Sequence, residues 1–367
     1  MDVKNALKSF AYSATLASLL LGLSAGCNGC DDDIQAVVMP GSISGAVCDP
    51  GQGVGIFGAT VRVIVIQPNG SEKIYETLTD AEGNFLLEDV PVGTHSVHIR
   101  RGSFRSEVEG VEVFEEQETV LDGECVAPVT VAMAVYGGHD SVEEVLTRLG
   151  YTSYAFIETY HRASDRDDGT PSWLVEQFGD IDNFSSFDIL FINCGAHEWA
   201  LEKASDAEVE TVLNNLRVFV NNGGSIYMSD WAYDLMELLY PDAVDWYDDD
   251  EVENAAQVGE QQDFLGLVAD EDMLAVLDKD RVSLRYNQGR IAMPVTLGEG
   301  SRALITANNM GVDVDAEDLD DVPVLLEHVP VGVDEETAGR IIFTTFHNGS
   351  QNTPDMDEIL RAIVFSL

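Results

Sequence analysis

FDILFINCG, residues 187–195, is an apolar run that ends on a cysteine and a glycine. Ile189, Leu190, Phe191 and Ile192 leave no polar face. That is the pattern of a strand covered on both sides. Two further runs read the same way: VTVAMAVY (129–136) upstream and SIYMS (225–229) downstream. Helical spacing separates them. Val142, Val145, Leu146 and Leu149 share one face after the first run. Ser205, Asp206, Ala207 and Glu208 fit a capping box, followed by a stripe of Val209, Val212, Leu213, Leu216, Phe219 and Val220. Gly223 and Gly224 end that helix. A short helix runs from Trp231 to Tyr240 and stops at Pro241. GRIIFTTF (339–346) is a late strand, with His347 just after it, and 355–367 is a closing helix. Strand alternating with helix predicts an α/β domain over 128–367, three layers deep, with a mainly parallel sheet. Between 264 and 326 the elements are shorter, and RIAMPVTL and RALITA read as strands.

The region before it has another period. ATVRVIVI (59–66) is followed by the turn residues Pro68, Asn69 and Gly70. KIYETLT, NFLLEDV, THSVHIR and EVEGVEVF are equally short and split by turns at 80–83 and 91–93. This predicts an N-terminal antiparallel β-sandwich over 41–126. Ile43, Gly45 and Val47, the block from Thr79 to Phe85, and Pro91, Gly93 and Thr94 resemble the carboxypeptidase regulatory-like domain, a prealbumin-like sandwich. The resemblance implies the fold, and spacer, adhesion or sugar-binding roles.

The first residues bear on location. Lys4 and Lys8 precede an apolar run over 11–23, and Ser24, Ala25 and Gly26 precede Cys27. This is a signal-peptide layout, too short for an ordinary membrane span. It resembles a bacterial lipoprotein signal over 1–26, which implies a lipid on Cys27 and a chain held at the outer membrane or cell surface. Residues 27–40, with Asp31, Asp32 and Asp33 in a row, read as an acidic tether. In an exported chain Cys48 and Cys125, near the two ends of the sandwich, are expected to form a disulfide.

Charge narrows the partners. The 367 residues hold 66 acidic against 19 basic side chains, a net of −47. Nucleic acid needs cations to neutralise phosphates, so it is excluded as a partner. Attachment to a membrane is expected through the lipid alone, which leaves a protein, peptide or glycan ligand. The oligomeric state is not readable. Two acidic loops are calcium candidates: Asp248 and Asp250 in one, Asp313 and Asp315 in the other. Neither has the EF-hand spacing.

FDILFINCG, the helix ending LRVFVNNGGSIYMSDWAYD, and GRIIFTTFHNGS together resemble the class I glutamine-amidotransferase-like fold, in its trehalose-utilisation-like branch. That resemblance implies a cysteine nucleophile at a strand-to-helix elbow and a histidine after a late strand. His347 matches by position. The elbow holds Met228, Ser229, Asp230 and Trp231, with no cysteine. Cys194 ends the preceding strand, and three readings stand for it: a small core residue, a residue lining a cleft, or a displaced nucleophile helped by His197 or His347. Glu198, Asp230 and Trp231 belong to the same cleft, and His139, Asp140 and His161 neighbour it. Ser229 is the other nucleophile candidate. With the family nucleophile missing, the sequence predicts a non-catalytic binding or scaffolding protein, more an adaptor than an enzyme. The competing class is a hydrolase using Ser229 or Cys194 with His347.

Overall fold

The computed structural model describes residues 38–49, 53–102, 104–121, 126, 132–135, 137–149, 154–157, 172–195, 204–248, 255–312, 318–333, 337–349, 351 and 354–366. The expected signal and most of the expected tether, with Cys27, therefore lie outside the described residues.

Among the described residues seven strands build the sandwich: β1 (Gly41–Ala46), β2 (Thr60–Ile66), β3 (Glu72–Leu78), β4 (Asn84–Val90), β5 (Gly93–Arg101), β6 (Phe104–Val113) and β7 (Glu118–Val120). They form a sheet in the order β4-β1-β7 and another in the order β3-β2-β5-β6. All ladders are antiparallel except that of β1 with β7. Alternate residues point inward. Ile43, Val61, Val63, Phe85, Leu87 and Val97 are buried as a result. Each contributes roughly 1.5–3 kcal/mol on full burial. The turn into β4 needs its glycine. Gly83 has φ +80°, and a Cβ there would lie 2.3 Å from the Val47 carbonyl oxygen. Cys48 is disulfide-bonded. Its expected partner, Cys125, lies outside the described residues.

Among the described residues the α/β part has thirteen strands. In chain order they are β8 (Ala132–Val135), β9 (Tyr154–Ile157), β10 (Ile189–Ile192), β11 (Ser225–Ser229), β12 (Val244–Trp246), β13 (Gln257–Gly259), β14 (Gln262–Val268), β15 (Arg281–Tyr286), β16 (Ile291–Ala292), β17 (Pro294–Leu297), β18 (Ser301–Ala307), β19 (Val322–His328) and β20 (Ile341–Thr344). Its helices are α1 (Val142–Arg148), α2 (Trp173–Phe178), α3 (Asp206–Asn221), α4 (Tyr233–Leu239), α5 (Glu271–Leu277) and α6 (Pro354–Ser366). Nine strands make one sheet in the order β15-β14-β18-β19-β20-β11-β10-β8-β9. The sheet is mixed. From β20 to β9 the pairs are parallel, and from β15 to β20 they are antiparallel. The remaining strands form two small pairs, β12-β17 and β13-β16, so RIAMPVTL is split between two pairings.

Local sequence explains the helices. Ser205 and Glu208 exchange side-chain and backbone bonds at the start of α3, a complete capping box. Val212, Leu213, Leu216, Phe219 and Val220 then bury one face of α3. The parallel strands are buried along their whole length: β8, β10, β11 and β20 expose no residue. Their register is level. Ile192 pairs with Val135 and with Met228, and Ser229 pairs with Thr344. The residues that follow these strands therefore emerge at one edge of the sheet, which places the site.

Candidate functional site

Four chain segments leave that edge. β8 leads to His139 and Asp140, β10 to Asn193 and Cys194, β11 to Asp230, and β20 to His347. Gly137 lets the first two segments touch, because a Cβ on it would lie 2.2 Å from the Cys194 carbonyl oxygen. Asp140 ties the first segment to the last: its Oδ1 accepts the Gly349 N–H at 2.9 Å and the Ser141 N–H at 2.8 Å. Asn193 fixes the second, donating to the Val135 carbonyl at 3.0 Å and to Glu143 Oε2 at 2.9 Å.

At the centre lie Cys194, Asp230 and His347, all fully buried. His347 Nε2–H donates to Asp230 Oδ2 at 2.9 Å. The Cys194 thiol donates to the same oxygen at 3.6 Å. Asp230 Oδ1 accepts the Ala292 N–H at 2.8 Å. His347 Nδ1 faces Asn287 Oδ1 at 2.9 Å. The backbone N–H of Trp231 is bonded to the Cys194 sulfur. Among the described residues this is the one group of three His, Cys, Asp or Glu side chains whose ligand atoms lie within 4.8 Å of one another.

The backbone aims these groups. Asp230 has φ +43°, a left-handed conformation that a side chain with a Cβ resists. It opens a 3-10 turn, Asp230–Ala232, between β11 and α4. The sharp elbow after β11 is therefore centred on Asp230. Ser229 is its last extended residue, at φ −132° and ψ 139°. Its Oγ accepts the Cys194 N–H at 3.0 Å, which links the ends of β10 and β11.

Electrostatics follow from burial. Desolvation pushes the Cys194 thiol well up, and the Asp230 charge adds to it. Burial alone would lower His347, but the hydrogen bond and charge of Asp230 outweigh it and leave it raised. Both ring nitrogens of His347 face oxygen acceptors, which is the arrangement an imidazolium satisfies. His139 is exposed, and its ring stacks 6.4 Å from that of His347, so solvent begins one ring away from the cluster. Burial, with His347 next in weight, lowers His139. Trp231 stands 5.3 Å from His139 and donates from Nε1 to the Arg290 carbonyl. An open groove of about 840 Å³ lies elsewhere, on β14 and β15, and contains none of the three central residues.

Of the sequence candidates, the structure brings Cys194, Asp230 and His347 together, with Ser229 and Trp231 beside them. Asp248 sits apart, in the turn after β12. His161, His197, Glu198, Asp250, Asp313 and Asp315 lie outside the described residues. Asn287 was not singled out. It stands 60 positions from His347 and no local pattern marks it.

One expectation needs correction. The missing family cysteine predicted a non-catalytic binding or scaffolding protein, more an adaptor than an enzyme. The buried Cys194–Asp230–His347 cluster overturns that reading, because the thiol arrives from β10 instead of from the elbow. Three reactive groups packed against one another in a dry space are costly to bury. They are what a catalytic or metal centre requires.

Residues 42–124 match the family model described as carboxypeptidase regulatory-like domain. No curated protein matches the chain. Among solved structures, the chain is similar to a cohesin–X-dockerin complex from Acetivibrio cellulolyticus at 23% identity and a TM-score of 0.17. That match covers 22% of this chain and spans about half, 51%, of the other. A putative carbohydrate binding protein from Bacteroides uniformis matches at 20% identity and TM-score 0.19, over 24% of this chain and 41% of that one. A glutamine amidotransferase from Thermotoga maritima matches at 8% identity and TM-score 0.36, over 65% of this chain and 95% of its own.

Proposed function

We propose that the α/β part is a hydrolase whose chemistry is carried by Cys194, Asp230 and His347, on an exported chain anchored by a lipid on Cys27. The observation behind the hydrolase reading is the convergence of these three side chains at the carboxyl ends of β10, β11 and β20. A carboxylate and an imidazole sharing a proton over 2.9 Å supply acid and base. The sulfur adjoining them supplies a soft ligand or nucleophile. Ser229 is left with the positioning role, since its hydroxyl holds the Cys194 backbone. The lipid anchor is supported by the signal layout before Cys27. The sandwich serves as the spacer that carries the enzyme away from the surface.

The test is a screen of the full chain against chromogenic esters, amides and phosphoesters. Turnover is expected with at least one class, and D230N and H347Q should each reduce it by about 100-fold or more. Turnover unchanged in both variants would place the chemistry elsewhere.

A further inference from the structure

The cluster has the ligand types, the spacing and the outer support of a metal centre. We infer that Cys194 Sγ, Asp230 Oδ2 and His347 Nε2 bind one divalent ion of the zinc type, with a fourth position left for water. Sulfur, nitrogen and oxygen together are the donors that zinc takes. Calcium takes oxygen alone, in larger number, so this pocket does not suit it.

The distances agree. Zinc bonds of about 2.3 Å to sulfur and about 2.0 Å to nitrogen and oxygen set the edges of a tetrahedron. Those edges are about 3.5 Å between sulfur and oxygen, and about 3.3 Å between nitrogen and oxygen. The structure has 3.6 Å and 2.9 Å at these edges. An ion entering the face widens the second edge by a few tenths of an ångström and displaces two protons to solvent, one from the Cys194 thiol and one from His347 Nε2.

The outer contacts are those a metal ligand needs. A coordinating histidine gives its other N–H to a carbonyl or carboxylate, which fixes the ring. His347 Nδ1 has Asn287 Oδ1 in that place. Asp230 is oriented through its other oxygen by the Ala292 N–H, and the sulfur receives the Trp231 N–H. Each ligand thus has one group outside holding it. The three also come from the ends of level, buried strands, a rigid support. An open position is what separates a catalytic zinc from a structural one. A water bound there would ionise near neutral pH and attack a scissile bond, with Asp230 and His347 then serving as ligands in place of the acid–base pair. That consequence rests on the hydrolase reading; the binding of the ion does not.

The experiment is a cobalt titration of the full chain after treatment with a chelator. Acidic surfaces collect cations without specificity, so stoichiometry alone is a poor readout for a chain of net charge −47. The spectrum is a better one. One equivalent of cobalt is expected to give a sulfur-to-cobalt charge-transfer band in the near ultraviolet and the visible bands of a four-coordinate ion. C194S, which keeps the shape of the side chain, should remove the charge-transfer band. N287A removes the Oδ1 that faces His347 Nδ1 and should weaken cobalt binding by about 10- to 100-fold while keeping the band. No such band in the unaltered chain, or the same band in C194S, overturns the inference. Equal turnover by metal-free and loaded protein, with no band, also overturns it and leaves the hydrolase standing. The band without turnover of any substrate keeps the metal site and removes the hydrolase.

Discussion

The sandwich and the α/β part both bury polar side chains, but they join them to different partners. In the sandwich the buried Thr79 takes backbone partners, while the buried Asp49 forms an ion pair with Arg361 at 3.0 Å. Thr79 Oγ1 accepts the Ala59 N–H at 2.8 Å and donates to the Ile56 carbonyl. The exposed Asp80 also takes backbone partners: its Oδ1 accepts the N–H of Asn84 at 2.7 Å and that of Glu82 at 3.1 Å. Such bonds close turns and complete the needs of the main chain. At the edge of the nine-stranded sheet the partner is another side chain. Asp230, His347, Cys194 and Asn287 bond to one another. A polar group joined to backbone is explained once the fold is explained. A set of reactive groups joined mainly to one another needs a further reason, and chemistry supplies it.

The largest effect expected from this contrast is at Asp230. D230A leaves the His347 Nε2–H and the Ala292 N–H without their acceptor in a fully buried space. Breaking a buried charged pair from one side costs about 3–5 kcal/mol. D230G should do better than D230A by about 1–2 kcal/mol, since glycine accepts the φ of +43° freely. Urea unfolding of the two variants separates the lost carboxylate from the backbone conformation. A loss under about 1 kcal/mol in D230A would mean that Asp230 and His347 do not act as a buried charged pair.

The middle effect tests the other side. T79V keeps the shape of the side chain and removes both of its backbone bonds. Leaving a buried donor and acceptor unpaired costs about 1–3 kcal/mol. The same variant should leave hydrolysis, and the cobalt spectrum, unchanged. If T79V altered either, the two regions would not be separable in function.

How much of this was visible in the sequence depends on distance along the chain. FDILFINCG shows its burial in four consecutive apolar residues, because a strand covered on both faces has no polar side to alternate with. The turn before β4 shows itself in Asp80 and Gly83, three positions apart. The antiparallel half of the large sheet was only partly legible. β14 and β15 alternate in burial, β15 strictly, so their period is present in the sequence; their antiparallel pairing across α5 is what the sequence does not show. The cluster was not legible as a unit. Cys194 and Asp230 are 36 positions apart, and Asp230 and His347 are 117 apart. Looking for a cysteine at the elbow found none there, and the sequence has no sign that the thiol from β10 reaches across to the next strand. Nor does it mark the left-handed backbone of Asp230, because no glycine announces it.

The smallest effect sharpens that last distinction. Ser205 begins α3 with a capping box that four adjacent residues spell out, and the structure contains it in full. Its bonds to Glu208, at 2.8 Å from the backbone N–H and 2.7 Å from the hydroxyl, are exposed to solvent. Water replaces part of what S205A removes, so the expected loss is about 1 kcal/mol. The helix packs by its buried stripe of Val212, Leu216 and Val220, which the cap does not touch. Turnover and metal binding should therefore be unaffected. The motif most legible in the sequence should thus matter least to the chemistry, and the contact between residues 117 positions apart should matter most. A thermal melt of S205A beside D230A measures that ranking directly. A larger loss in S205A would mean that local capping, and not the side-chain cluster, holds this end of the sheet together.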